Sequence, residues 1–169
     1  MEQIWAPWRA EYLLRQKPAQ CIFCLISSQR DTSGSPSTDE NNYLLLRDRT
    51  CFAVLNTYPY TAGHLMVAPY RHTGEVEEFT EDELKDLMIL ARRCKKFLNG
   101  AFRPDGFNVG LNLGSVAGAG FADHLHLHIV PRWNGDTNFM PVLADVRVVS
   151  EGLRQTYDKL VLQVKAEHG

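Results

Sequence analysis

The sequence predicts an α+β fold: an antiparallel sheet of about five strands, with one long helix and a C-terminal helix against it. Three observations point there. Short apolar runs are joined by polar turns too short for the crossovers that parallel strands need. Residues 80–100 repeat apolar side chains at three- and four-residue steps, the period of a helix with one buried face. Asp123 to Trp133 alternates histidine with aliphatic residues, the period of a strand.

In chain order, Trp5, Trp8 and Tyr12 recur at roughly helical spacing around Pro7, so residues 1–20 read as an N-terminal arm. Cys21-Ile22-Phe23-Cys24 follows. Residues 29–42 are almost wholly polar and read as a flexible surface loop. Tyr43 to Leu46 and Cys51 to Leu55 flank a polar turn and form a hairpin. Residues 56–63 are a loop, and His64 to Ala68 is a strand stopped by Pro69. Thr80 and Glu83 have capping-box spacing, and the helix they open ends near Gly100. Phe107 to Leu111 is a strand after the Pro104-Asp105-Gly106 turn. Residues 114–120 form a small-residue loop leading into the histidine strand. Asn134 to Asn138 turns the chain, the stretch to Val149 is extended, and Ser150 caps a final helix carrying Leu153, Tyr157, Leu160, Val161 and Val164. No repeat divides the 169 residues, so one domain is expected, with 134–169 as a C-terminal extension.

Composition narrows the function classes. A net charge of −2 carries no polycationic footprint for nucleic acid and no basic patch for a membrane surface. No apolar run approaches the ~20 residues of a membrane span. The first residues lack the apolar stretch of a secretory leader, so a cytoplasmic, reducing setting is expected. There a C-x-x-C pair reads as metal or redox before disulfide. No strand–turn–helix redox unit surrounds Cys21 and Cys24, which leaves metal ligation or two packed thiols. Cys51 and Cys94, in apolar surroundings, are expected to be buried free thiols.

Strand alternation puts His124, His126 and His128 on one face, opposite Leu125, Leu127 and Ile129. Three readings compete. Three imidazoles satisfied in a core would each need their own partners. A three-histidine zinc site meets a spacing problem, since i, i+2 and i+4 on a strand span roughly 13 Å and zinc–ligand bonds are about 2 Å. A neutral imidazole attacking phosphorus fits the unperturbed histidine pKa, and the upstream glycines offer backbone N–H groups for phosphate.

The run His124-Leu125-His126-Leu127-His128-Ile129-Val130 resembles the H-x-H-x-H-x-x signature of the histidine triad (HIT) superfamily, which implies a HIT-like fold. Leu55-Asn56 and Gly63-His64-Leu65-Met66-Val67-Ala68-Pro69 resemble further segments of that family, so the likeness runs from about Cys21 to Trp133. The flanks Ile4 to Arg9 and Asn134 to Val142 resemble a bacterial branch containing diadenosine tetraphosphate phosphorylases and relatives of the fragile histidine triad hydrolase. The resemblance implies cleavage of dinucleoside polyphosphates through a nucleotidyl-histidine intermediate. It makes His126 the nucleophile, His128 the group on the scissile phosphate that helps the leaving group depart, and His124 and His64 orienting residues. Asn56 would bind ribose. Asn112, Gly118, Gly120 and Trp133 would complete the nucleotide site with His126 and His128. Adenine nucleotides such as AMP and dinucleoside polyphosphates are the implied partners, in a homodimer, with no organic cofactor. Nucleoside phosphoramidate hydrolysis and non-enzymatic nucleotide sensing are the alternatives.

Many relatives place Ala-Gly-Gln-Ser/Thr before the triad. Here Ala117-Gly118-Ala119-Gly120-Phe121-Ala122 has no such polar side chain, so phosphate contacts fall to backbone N–H groups, and the space left suits inorganic phosphate as acceptor. In relatives with an N-terminal C-x-x-C, the matching positions imply structural zinc on Cys21, Cys24, His72 and His124.

Overall fold

The computed structural model describes residues 20–29, 38–136 and 151–168. Its elements are α1 (Ile22–Ser28), α2 (Thr38–Asn41), β1 (Leu44–Arg47), β2 (Cys51–Leu55), β3 (Leu65–Pro69), α3 (Glu81–Phe102), β4 (Gly106–Leu111), β5 (Leu127–Arg132) and α4 (Leu153–His168). The five strands form one antiparallel sheet in the order β1-β2-β3-β5-β4. Among the described residues no helix is long and apolar enough to cross a membrane.

Period-two alternation gives the sheet two different faces. Cys51, Ala53 and Leu55 of β2, Leu65 and Val67 of β3, and Leu127 and Ile129 of β5 point to one side. There they meet Leu87, Leu90, Ala91, Cys94, Phe97 and Leu98 of α3 and Tyr157 and Leu160 of α4. Each such Leu or Phe contributes about 1.5–3 kcal/mol by leaving water. Phe52, Val54, Met66 and Ala68 point to the other side, where Phe23 of α1 covers them. Leu44 joins the Phe23 cluster and Leu45 the helix-covered core, as alternation requires, and the bulge in β1 between Leu44 and Leu46 lets Leu46 pack against that same core beside Leu45. The histidines belong to the Phe23 face.

The long helix starts as its sequence predicts. Glu83 N–H donates to Thr80 Oγ1 at 3.2 Å, and Thr80 N–H returns a bond to Glu83 Oε2 at 2.9 Å. It runs two residues past Gly100, because the left-handed turn falls on Arg103 (φ 48°), just ahead of Pro104. Cys51 and Cys94 are buried free thiols, and burial pushes both up to about 12.

Three expectations need correction. The 29–42 stretch is not wholly an irregular loop: Thr38–Asn41 is helical, and Asn42 Nδ2 donates to Gln29 Oε1 at 2.7 Å. Arg47 supplies the reason. Its guanidinium donates to both carboxylate oxygens of Asp39 and to the carbonyls of Ile26, Ser27 and Gln29, capping the C-terminus of α1. The strand after the 56–63 loop begins at Leu65 rather than His64. The histidine strand joins the ladder only at Leu127, so His124 and His126 precede it. The arm around Trp5, Trp8 and Tyr12, the centre of the polar loop, the Thr137–Asn138 end of the turn, the extended stretch to Val149 and the Ser150 cap lie outside the described residues.

Candidate active site

β3 and β5 are neighbours, with Met66 opposite His128, so His64 and the triad converge at one end of the sheet. Gly63 makes the entry to His64 possible. Its φ is +77°, and a Cβ there would stand 3.0 Å from Leu98 Cδ2. Before the ladder, the triad segment is held by the chain beside it: Leu125 N–H donates to Thr73 O at 2.8 Å. The neighbouring Gly74 lies so close that an added Cβ would sit 2.1 Å from Ala122 O. Only glycine permits that approach, which carries His72 to His124.

An obligate donor settles the imidazole tautomers. The Tyr60 backbone N–H donates to His64 Nδ1 at 3.1 Å, and the Asn56 amide Nδ2 lies 3.3 Å from the same atom. Nδ1 therefore accepts, and the His64 proton sits on Nε2. That Nε2–H donates to His128 Nδ1 at 2.9 Å, which leaves the His128 proton on its own Nε2. The Asn112 amide stands beside that atom, with Nδ2 at 3.4 Å; turned by 180°, it presents Oδ1 as the acceptor. His128 thus offers a donor at the open end of the relay. Burial, then the charge of neighbouring His126, pushes its pKa down to about 4, so it is a neutral hydrogen-bond donor at neutral pH.

His126 has the opposite polarity. Its Nδ1–H donates to the backbone carbonyl of His124 at 2.8 Å, leaving the Nε2 lone pair unprotonated. Burial lowers its pKa as well. The His126 and His128 rings meet edge to face, 4.8 Å between centroids. One side chain presents a nucleophilic nitrogen and the next a polarised N–H, as displacement at phosphorus requires.

His124 turns away from this pair. Its Nε2–H donates to Pro69 O at 2.9 Å, so its Nδ1 lone pair faces Cys21 Sγ at 3.3 Å, Cys24 Sγ at 3.6 Å and His72 Nδ1 at 3.2 Å. Cys24 Sγ is 3.3 Å from His72 Nδ1, and all four ligand atoms lie within 4.8 Å of one another. Tetrahedral zinc with S and N ligands has edges of about 3.3–3.8 Å, so the donor set and its spacing fit that ion. The carbonyl on His124 Nε2 is the kind of outer partner that fixes a ligating imidazole. Burial, and then the Cys21 sulfur, raises the Cys24 pKa.

Of the residues singled out from sequence, His64, His126, His128, Asn56 and Asn112 come together, and Gly118 approaches them: a Cβ on it would be 3.9 Å from Asn112 Nδ2. Asn56 is already engaged inside the chain, its Oδ1 accepting Tyr58 N–H at 2.9 Å. Gly118 and Ala119 donate their N–H groups to Ser115 O and Gly114 O, so those two donors serve the loop itself. Gly120 is exposed on the same loop. Trp133 sits just past the end of β5, five residues or about 16 Å of extended chain from His128.

Two residues were missed. Phe23 packs against both His124 and His126, with ring centroids 5.1 and 4.9 Å away. Tyr60 supplies the relay's first donor and lies against His64 and His128. The position of Phe23 inside C-x-x-C was a usable signal; a backbone N–H leaves none.

Comparison with known proteins places this geometry. The HIT domain model matches residues 37–135. An AP-4-A phosphorylase of Mycobacterium tuberculosis is 38% identical over 165 residues, 92% of this chain and 80% of the relative. A bis(5'-adenosyl)-triphosphatase of Dictyostelium discoideum is 35% identical over 81 residues, covering 48% of this chain and 54% of that protein. Among solved structures, a Zn-bound histidine triad family protein from Mycobacterium smegmatis superposes with a TM-score of 0.65 at 23% identity, covering 87% of this chain and 96% of that one. A hypothetical histidine triad nucleotide-binding protein from Sulfolobus tokodaii gives 0.61 at 25% identity, covering 86% and 94%. The triad, the five-stranded antiparallel sheet and the matched family domain together show that this chain belongs to the HIT family.

Proposed function

We propose that this chain is a nucleotidyl transferase that cleaves dinucleoside polyphosphates of the diadenosine tetraphosphate type, with phosphate as the preferred acceptor. The observation that carries the reading is the opposed polarity of His126 and His128: an unprotonated Nε2 on one, a donor Nε2–H on the other. His126 Nε2 attacks the α-phosphorus of an adenylyl group, and the bond from that phosphorus to the bridging oxygen breaks. The leaving nucleotide takes the electron pair as its terminal phosphate. His128, neutral near pH 7, donates a hydrogen bond to the oxygen that gains charge rather than giving up its proton. A phosphate oxygen then attacks the nucleotidyl-histidine, the P–N bond breaks back to His126, and ADP leaves. Water in that step gives AMP.

Phosphorolysis is favoured by the likeness to the mycobacterial AP-4-A phosphorylase over most of both chains, and by a loop at 117–122 without polar side chains to fill the acceptor space. Zinc on Cys21, Cys24, His72 and His124 would supply a structural cross-link, with the catalytic roles left to His126 and His128. The roles of Asn56, Asn112, Gly118, Gly120 and Trp133 in nucleotide binding belong to this reading. So do a cytoplasmic location and a homodimer, the latter supported by the edge position of β4 with Val109 48% exposed; sedimentation of the purified protein tests it.

The deciding experiment is product analysis with labelled phosphate. Diadenosine tetraphosphate should yield ATP and labelled ADP. AMP without labelled ADP at saturating phosphate would leave a hydrolase and reject the phosphorylase. Absence of turnover on dinucleotides and phosphoramidates alike would leave a binding protein.

A further inference from the structure

Phe23 is bracketed by two cluster residues, Cys21 and Cys24, and buried to 1% exposure. Its ring lies 5.1 Å from His124 at 39° and 4.9 Å from His126 at 31°, and Phe121 closes on its edge at 6.1 Å. Among the described residues the His126 ring is tied by one bond, Nδ1–H to His124 O. The terminal torsion of a histidine side chain is broad and roughly two-fold, so one bond is a weak restraint on which nitrogen faces the substrate. Packing against a flat ring supplies the second restraint. The helix that carries Phe23 is short, has no side-chain N-cap, and is held at its far end by Arg47. At its near end, among the described residues, Cys21 meets His124 and Cys24 meets His72 and His124.

We infer that Phe23 is a positioning residue for His126, and that metal occupancy of the Cys21, Cys24, His72 and His124 cluster sets the orientation of the nucleophile through it. This rests on the reading of His126 as nucleophile and of the cluster as a zinc site. With both sulfurs fixed, the residue between them cannot swing away and the His126 ring stays clamped. With the sulfurs free, α1 keeps Arg47 and the apolar packing of Phe23 under the sheet, and the Phe23 ring is freer to shift against His126. A second route exists, since His124 also carries the carbonyl that holds His126. The two routes separate on substitution of Phe23.

The test is nitrogen-edited NMR of the histidine rings, on zinc-loaded and zinc-stripped full-length protein, in wild type and Phe23→Leu, with metal content measured in parallel. In wild type, stripping zinc should shift or broaden the His126 ring signals. In zinc-loaded Phe23→Leu those signals should already be displaced, zinc removal should add little, and the rate at saturating substrate should fall about tenfold. Phe23→Met serves if the leucine variant fails to fold. His126 signals that ignore zinc in wild type, or that respond equally with and without Phe23, overturn the inference. Protein that takes up no zinc overturns it together with the metal reading. Because the ring signals need no turnover, a protein that binds zinc and moves His126 without cleaving dinucleotides would sink the proposed activity and leave the coupling standing.

Discussion

His64 donates its Nε2–H to His128 Nδ1 across 2.9 Å, and that bond fixes the His128 proton on its Nε2. That placement originates outside the triad, in the backbone N–H of Tyr60. Replacing His64 with glutamine should let His128 adopt the other tautomer. The expected result is a kcat lowered about 10- to 100-fold with a smaller change in KM, measured by steady-state turnover.

The low pKa of His128 has a stability consequence. Folded, the group titrates near 4; unfolded, near 6.5. Between these values the unfolded chain binds more protons, so stability rises with pH through that window and is lost as pH falls from 6.5 toward 4. The effect is about 3 kcal/mol for the full window. Urea unfolding at pH 7 and pH 4.5 reads it, and His128→Gln should flatten the dependence by roughly that amount. An unchanged slope in the variant would contradict the assignment.

Gly74→Ala forces a Cβ onto the Ala122 carbonyl, where 2.1 Å is available. Backbone must move, and the chain that moves carries His72 on one side and leads to His124 on the other. The expectation is a loss of about 1–3 kcal/mol in stability and, in protein loaded with zinc, faster release of the metal to a chelator, followed by absorbance of a zinc indicator.

Arg47→Leu removes the donors that hold the C-terminal carbonyls of α1 and the partner of Asp39. With the guanidinium mostly buried, the loss is about 2 kcal/mol. Hydrogen exchange should speed up in α1 while α3, capped independently by Thr80 and Glu83, keeps its protection.

Much of this was legible in the sequence because it rests on local periodicity. The α3 start was written in Thr80 and Glu83, and the two faces of the histidine segment in strict alternation with Leu125, Leu127 and Ile129. What escaped depended on partners far along the chain. The short helix at Thr38–Asn41 sits in a polar stretch, and its Asp39 is bound by Arg47 of β1. The inequality of three similar imidazoles is set by Tyr60 N–H, Pro69 O and His124 O, backbone atoms that no residue letter reports. Phe23 was visible as an apolar residue, but its contact with His126, 103 positions away, was not.

The covalent intermediate tests the central claim most directly. Protein mixed with diadenosine tetraphosphate, quenched within one turnover and weighed intact, should carry one adenylyl group, located by fragmentation on His126. The adduct should be absent in His126→Ala and discharge on adding phosphate. A wild-type enzyme that turns over without ever carrying the adduct, or an adduct that survives His126→Ala, would contradict nucleophilic catalysis by His126.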